Sequence, residues 1–256
     1  MTYLARSTIL LLLFLAACTL HKTTPPHEQV SVLSSEDITK LETGFVLWQP
    51  CTPAQAERWL SAAAEDDRQA LQAASCCAYL LQQSEDKAVQ SEYARQGYKL
   101  AESVLHRAPQ SGLVNYLAAC LEGLKAERSD PLDALQAVPE IERKALTAAR
   151  LAPRLDDGGP DRLLGELYLR APEPPVSIGD SSKAVSHFRK AVQHAPRRLE
   201  NRLGLAAALL AEGELGEACD ELNAVLLEMP PEDRHRGLWK KTMGLLKTLC
   251  EKQLES

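Results

Sequence analysis

The sequence is poor in aromatic side chains and has no excess of positive charge. Aromatic residues make up 5% of the 256 residues, and the formal net charge is -6. A surface that binds nucleic acid needs a basic face for the phosphates and, for single strands, aromatic platforms for the bases. Both are scarce here. The sequence therefore argues against a nucleic-acid partner.

Motifs of common enzymes and metal sites are missing as well. There is no phosphate-binding loop, no dinucleotide-binding fingerprint and no nucleophile elbow. The adjacent Cys76 and Cys77 lack the two-residue spacer of a zinc site, and no histidine pair stands at ligand spacing with a carboxylate. We expect no catalytic residue, metal or cofactor, and the remaining enzymatic alternative is a hydrolase or redox protein that uses a cysteine.

The N-terminal apolar run is too short to cross a membrane. It extends from Ile9 to Cys18 after a start that contains Arg6, and as a helix it would measure roughly 15 Å against a hydrocarbon core of about 30 Å. Residues 1–17 are therefore predicted to be a secretory signal peptide.

Cys18 ends a motif that resembles the bacterial lipobox, Leu15-Ala16-Ala17-Cys18. The resemblance implies that the Cys18 sulfur carries diacylglycerol and holds the mature chain to a membrane. Thr19 follows where an aspartate would resemble the inner-membrane retention signal, which favours the outer membrane, facing the periplasm. The alternative is an ordinary signal peptide with an incidental cysteine. Residues 18–33, which contain Pro25-Pro26, are predicted to form a flexible tether.

Residues 34–256 are predicted to form an all-α solenoid of helical hairpins. From Thr52 onward the chain is rich in Ala, Leu, Glu, Gln and Arg, and prolines follow the predicted helix ends. Pro196 and Pro230 are separated by 34 residues, the tetratricopeptide period, and Phe188 and Leu222 recur with the same shift. The amphipathic stretch 231–254 is predicted to be a C-terminal capping helix.

Two earlier repeats are longer than the 34-residue period. Pro109, Pro153 and Pro196 are separated by 44 and 43 residues. We expect the surplus to form long loops within residues 124–140, 156–160 and 171–180. Such loops on the rim of a solenoid are typical places for partner contacts, and the alternative is that they are surface insertions without a role.

The segments 156–168, 171–180 and 195–201 give the chain a closer resemblance over about residues 94–227. With their proline-rich insertion and Gly-Asp turn, they are similar to the T component associated with TRAP transporters. That resemblance implies a central apolar channel, a periplasmic substrate-binding protein as partner and the binding of hydrophobic organic acids. The alternative is a generic scaffold for envelope or pilus assembly without a ligand. The oligomeric state stays open, a homo-oligomer included.

The candidate binding residues are the inner-face positions of the first helices and the 171–180 loop. They are Leu113, Tyr116, Arg162, Glu166, Leu169, Leu203 and Leu210, together with Pro175, Ile178 and Asp180. Arg162 is predicted either to pair with a ligand carboxylate or to pair with Glu166 one turn later on the same helix.

Six cysteines remain once Cys18 is lipidated, and an oxidising periplasm allows them to pair. Cys219 and Cys250 are predicted to form a disulfide because the last hairpin and the capping helix bring them close. Cys76 or Cys77 is expected to lie near Cys120, with Cys51 taking the remaining partner. The alternative is that several of the six are buried free thiols.

Overall fold

The computed structural model describes residues 32–228 together with residues 244 and 250. Over this part of the chain the regular structure is ten helices without a strand, which confirms the all-α class. In chain order they are α1 (Ser35–Glu42), α2 (Pro53–Ala62), α3 (Asp67–Gln83), α4 (Lys87–Leu105), α5 (Gly112–Ala126), α6 (Pro131–Leu151), α7 (Gly159–Arg170), α8 (Ser181–His194), α9 (Leu199–Glu212) and α10 (Leu215–Glu228).

Three predicted segments fall outside the described residues. The signal peptide and most of the tether precede residue 32, and nearly all of the predicted capping helix follows residue 228. None of the described helices is long and apolar enough to cross a membrane.

Local sequence signals set where several helices begin and end. Ser34 and Thr52 each accept a hydrogen bond from the amide of the third residue of their helices, and that residue's side chain accepts one from the cap amide. Asp180 caps α8 as predicted, since its carboxylate accepts a hydrogen bond of 2.9 Å from the Lys183 amide. Gly213 ends α9 in the left-handed conformation, at φ 88°.

The last eight helices form four successive hairpins, α3–α4, α5–α6, α7–α8 and α9–α10. The two helices of each hairpin pack together, and each second helix also packs on the first helix of the next hairpin. The first helices α3, α5, α7 and α9 contact one another in order as well. This nearest-neighbour arrangement is that of a helical-hairpin solenoid, as the sequence predicted.

Phe188 of α8 holds the two later hairpins together. Its side chain is fully buried, and the helices beside it carry glycine where they meet the ring. A Cβ added at Gly165 of α7 would lie 2.6 Å from the ring, and one added at Gly204 of α9 would lie closer still. The two glycines therefore let α7 and α9 approach a large aromatic side chain that fills the space between them.

The surplus within residues 124–140 forms a helix and not the long loop that the sequence predicted. Only residues 127–130 separate α5 from α6, and α6 is 21 residues long. Asp130 caps α6 and Pro131 occupies its first turn, which is a strong start signal. Pro139 lies inside the helix, where it lacks an amide to donate to the Leu135 carbonyl, and α6 nevertheless continues through it.

We predict that Gly204→Ala lowers the free energy of unfolding by about 1–3 kcal/mol, because the new methyl group overlaps the Phe188 ring. The matched control is Gly216→Ala in α10, where no atom lies within 4 Å of the added Cβ. The control should keep its stability or gain a little, since alanine favours helix. Urea unfolding followed by circular dichroism measures both changes, and equal stabilities would contradict this account of the core.

Candidate functional site

A groove lies between the start of α6 and the end of α7, and we call it the α6–α7 groove. Its volume is about 410 Å³. Fourteen residues line it: Gly123, Ala126 and Glu127 of α5 and the turn after it, Pro131, Ala134, Leu135, Val138 and Ile141 of α6, and Leu163, Glu166, Leu167, Arg170, Ala171 and Pro172 of α7 and its exit. Most of these side chains are apolar.

The groove exists because α6 is longer than the second helix of an ordinary repeat. Its additional turns extend past the end of α5, and the apolar side chains Leu135, Val138 and Ile141 recur there at helical spacing. Val138 and Ile141 are buried, whereas Leu135 is half-buried and faces the groove. Lengthening the helix therefore provides one wall of the groove.

The 171–180 insertion begins at the groove and is held at its base. The Gly179 amide donates to the Pro172 carbonyl, and the Asp180 amide donates to the Tyr168 carbonyl, each at 2.9 Å. No side chain fits at Gly179, because the Ala171 and Pro172 backbone occupies the space that a Cβ would need. The insertion is thus a closed loop, and Val176 at its tip is 64% exposed.

The Arg162 guanidinium has partners within the protein. It forms a salt bridge with Asp156 at 2.6 Å and donates to the Asn201 side chain at 2.9 Å. The Tyr116 hydroxyl donates to the same Asp156 carboxylate at 2.6 Å. The Arg162 guanidinium is thus engaged within the protein by Asp156, a carboxylate that the loop before α7 supplies and that the sequence did not indicate. A ligand carboxylate at Arg162 stays a prediction.

Leu113 and Tyr116 do not line an open channel, contrary to the prediction. Their side chains are 4% and 3% exposed. The segment after the tether lies against them: Glu42 accepts a hydrogen bond from the Leu113 amide at 3.3 Å, and the Trp48 ring meets the Tyr116 ring edge-on at 6.2 Å. An apolar inner face is stabilised when it is removed from water, and here the protein's own N-terminal segment covers it.

The other predicted residues are distributed over several parts of the fold. Leu169, Leu210 and Ile178 are half-buried against the core around Phe188, whereas Leu203 packs with Leu222 in a separate cluster. Two residues of the insertion complete the set. Pro175 is exposed, and Asp180 serves as the helix cap described above.

Glu166 is the predicted site residue that lines the α6–α7 groove. The sequence prediction of a loop within residues 124–140 misses the apolar groove residues around Glu166. The signal was nevertheless present. Asp130-Pro131 has the same cap and first-turn proline pattern as Thr52-Pro53, and it introduces an apolar stripe at helical spacing.

The described part of the chain contains two disulfides. Cys219 pairs with Cys250, the pairing favoured by the sequence, and Cys51 pairs with Cys76. Cys77 and Cys120 are free thiols. Burial raises the pKa of each of these two thiols to about 12, so that the nucleophilic thiolate is scarce at neutral pH.

One lysine is buried between two carboxylates on neighbouring helices. The Lys144 side chain is 3% exposed, lies 2.7 Å from Glu122 and also contacts Glu102. Burial disfavours its charged form, but hydrogen bonds to Glu102 and Glu122 outweigh that effect and hold the pKa of Lys144 above its usual value. These contacts join α4, α5 and α6 behind the groove. Among the described residues, no group of three or more His, Cys, Asp or Glu side chains is arranged to hold a metal ion.

Comparisons with known proteins identify the repeat. A tetratricopeptide repeat family model matches residues 179–240. The structure is similar to that of a thermophilic tetratricopeptide-repeat protein from Thermus thermophilus, with a TM-score of 0.56, 16% identity, and coverage of 73% of this chain and 87% of that chain. No curated protein matches the sequence. The protein thus contains tetratricopeptide repeats in a solenoid fold, which is typically a scaffold and not an enzyme.

We predict that a chain with Cys18→Ser has two thiols that react in denaturant without reductant and six after reduction. In the folded, unreduced protein at pH 8 the two free thiols should react very slowly, because a pKa of about 12 lowers the thiolate fraction roughly a thousandfold. Alkylation followed by peptide mass spectrometry provides the count. Labelling of Cys219 or Cys250 before reduction would contradict the disulfide assignment.

Proposed function

We propose that this protein is a lipid-anchored scaffold of the cell envelope that binds a protein partner through the α6–α7 groove. The observation that carries the proposal is the groove itself, an open and mostly apolar surface of about 410 Å³ on a repeat fold. An apolar groove rimmed by charged residues is a candidate surface for a protein partner or a ligand. Tetratricopeptide solenoids typically act through such contacts.

The anchor in this proposal is Cys18 in the outer membrane. The lipobox supports it, and the folded unit begins at residue 32. The intervening residues can span at most roughly 45 Å when fully extended. Partners are therefore met close to the periplasmic face of the membrane.

The partner in our leading version is the substrate-binding protein of a TRAP transporter. The T-component resemblance supports it through the 171–180 insertion, whose first residues, Ala171 and Pro172, line the groove. The alternative is a scaffold for envelope or pilus assembly. A bound apolar ligand is a secondary possibility at the groove, because its volume falls in the range of small-molecule sites.

We predict that Cys18→Ser abolishes labelling by radioactive palmitate and releases the protein from the membrane fraction. Acylation requires the cysteine sulfur, and no described helix can replace the anchor. Cys120→Ser is the control, since substitution of this free, half-buried cysteine should leave both labelling and fractionation unchanged. Palmitate incorporation into the Cys18→Ser chain would refute the lipidation site.

We predict that affinity capture from native membranes recovers a partner that depends on the groove. The double variant Leu135→Ser with Leu167→Ser removes apolar lining and should reduce recovery roughly tenfold or more, as for loss of a binding hot spot. The matched control is Leu146→Ser with Leu227→Ser, two exposed leucines outside the lining, which should recover as much as wild type.

The identity of the captured protein separates the versions. A TRAP substrate-binding protein would support the transporter link, and another envelope protein would support the generic scaffold. Equal recovery by both double variants would overturn the groove as the binding site. Native mass spectrometry of the same preparation tests for a retained apolar ligand.

A further inference from the structure

Two helices form the walls of the α6–α7 groove. One wall is the α6 stripe from Pro131 to Ile141, and the other is the α7 stripe from Leu163 to Arg170. At 1.5 Å per residue the stripes are about 15 Å and about 10 Å long, two to three helical turns. Lining residues on both walls recur at intervals of three and four, the spacing with which a helix contacts another helix.

The charge of the lining is acidic. Of the described residues that line the groove, Glu127 and Glu166 are anionic and Arg170 alone is cationic. Arg170 already donates to Glu127 at 2.7 Å. The exposed carboxylates of Asp130, which precedes Pro131, and Glu173, which follows Pro172, lie at the end of the groove where α6 begins and α7 ends, and they form its acidic edge.

This distribution distinguishes between classes of occupant. An organic acid in the groove would bring its carboxylate toward the exposed Asp130 and Glu173 carboxylates, where like charges repel each other, and the Arg170 guanidinium is already engaged by Glu127. A cationic side chain would instead meet the exposed Asp130 and Glu173 carboxylates at the edge of an apolar floor. Complementary charge of this kind selects a partner and orients it.

We propose that the α6–α7 groove binds an amphipathic helix of a partner protein, with leucine-like side chains seated between α6 and α7 and Lys or Arg facing the acidic edge. The inference rests on the proposed scaffold function and specifies the chemistry of the partner. It predicts that a cationic amphipathic helix binds and that an anionic one of the same apolar pattern does not.

The test uses the full mature chain with Cys18→Ser, so that no membrane competes for the probe. The probe is a fluorescent peptide of about 18 residues, long enough to form a helix, with leucine on one face and lysine on the other. A second peptide replaces each lysine with glutamate. By fluorescence anisotropy the lysine peptide should bind at least about tenfold more tightly than the glutamate peptide.

Variants of α6 separate docking in the groove from general attraction to an acidic protein. Leu135→Lys adds a charge inside the groove, and Leu146→Lys adds the same charge on the same helix at a side chain that is 44% exposed. Leu135→Lys should weaken binding of the lysine peptide by about tenfold or more, and Leu146→Lys by less than about threefold. Circular dichroism verifies that both variants are folded.

A second pair of variants changes the charge without adding bulk to the apolar floor. Arg170→Glu should strengthen binding of the lysine peptide several-fold. Arg189→Glu on α8 makes the same change at another exposed ion pair, Arg189–Glu217, and should have a much smaller effect.

Three results would overturn the proposal. They are equal weakening by the two lysine variants, equal binding of the two peptides, and no binding of the lysine peptide. Each can occur while affinity capture still shows a groove-dependent partner, in which case the scaffold function stands and only the chemistry of its partner is wrong.

Discussion

The close approach of α7 and α9 to the Phe188 ring sets the geometry of the second half of the solenoid. A fully buried aromatic side chain contributes several kcal/mol to stability only when the surrounding backbone packs against it without voids. Gly165 and Gly204 make that packing possible. Leu222 of α10, 34 residues after Phe188, takes the corresponding position in the next hairpin. Because α7 is fixed against α8 and α9, its other side is presented in a defined position toward α6.

The α6–α7 groove follows from that constraint. Because Phe188 fixes the position of α7, α7 cannot shift to cover the additional turns of α6. The apolar stripes of α6 and α7 therefore remain separated by the groove. Behind the groove, α6 is tied down by Lys144 between Glu102 and Glu122. Separating Lys144 from these carboxylates would leave a buried charge uncompensated, which costs free energy. The α6 wall of the groove is therefore fixed in position.

The sequence predicts the helical class, the repeat and several helix caps because these depend on local rules. Ser34, Thr52 and Asp180 mark the starts of their helices, and the 34-residue shift of Phe188 to Leu222 shows the repeat. The sequence also predicts the Cys219–Cys250 disulfide, because the expected capping helix would bring the two residues together, and the structure contains this disulfide.

The sequence predicts the inner face poorly, because the burial and the partners of its side chains depend on contacts between segments distant in sequence. Whether Tyr116 faces a channel or a core is decided by Trp48, and the salt bridge of Arg162 is decided by the positive-φ turn at Asp156. Neither is visible in the periodicity of α5 or α7. The groove itself was within reach of the sequence, since reading Asp130-Pro131 as a helix start places Leu135 on a wall.

On the proposed anchoring, modest affinity in the groove is sufficient for function. A short tether at a membrane confines scaffold and partner to a thin layer, where effective concentrations reach roughly millimolar. A groove with a Kd of about 100 μM, near -5.5 kcal/mol, would then be about nine-tenths occupied. Anionic lipids attract cationic amphipathic helices as well. On the proposed docking of such a helix, the exposed Asp130 and Glu173 carboxylates would let the groove compete with the membrane surface for it.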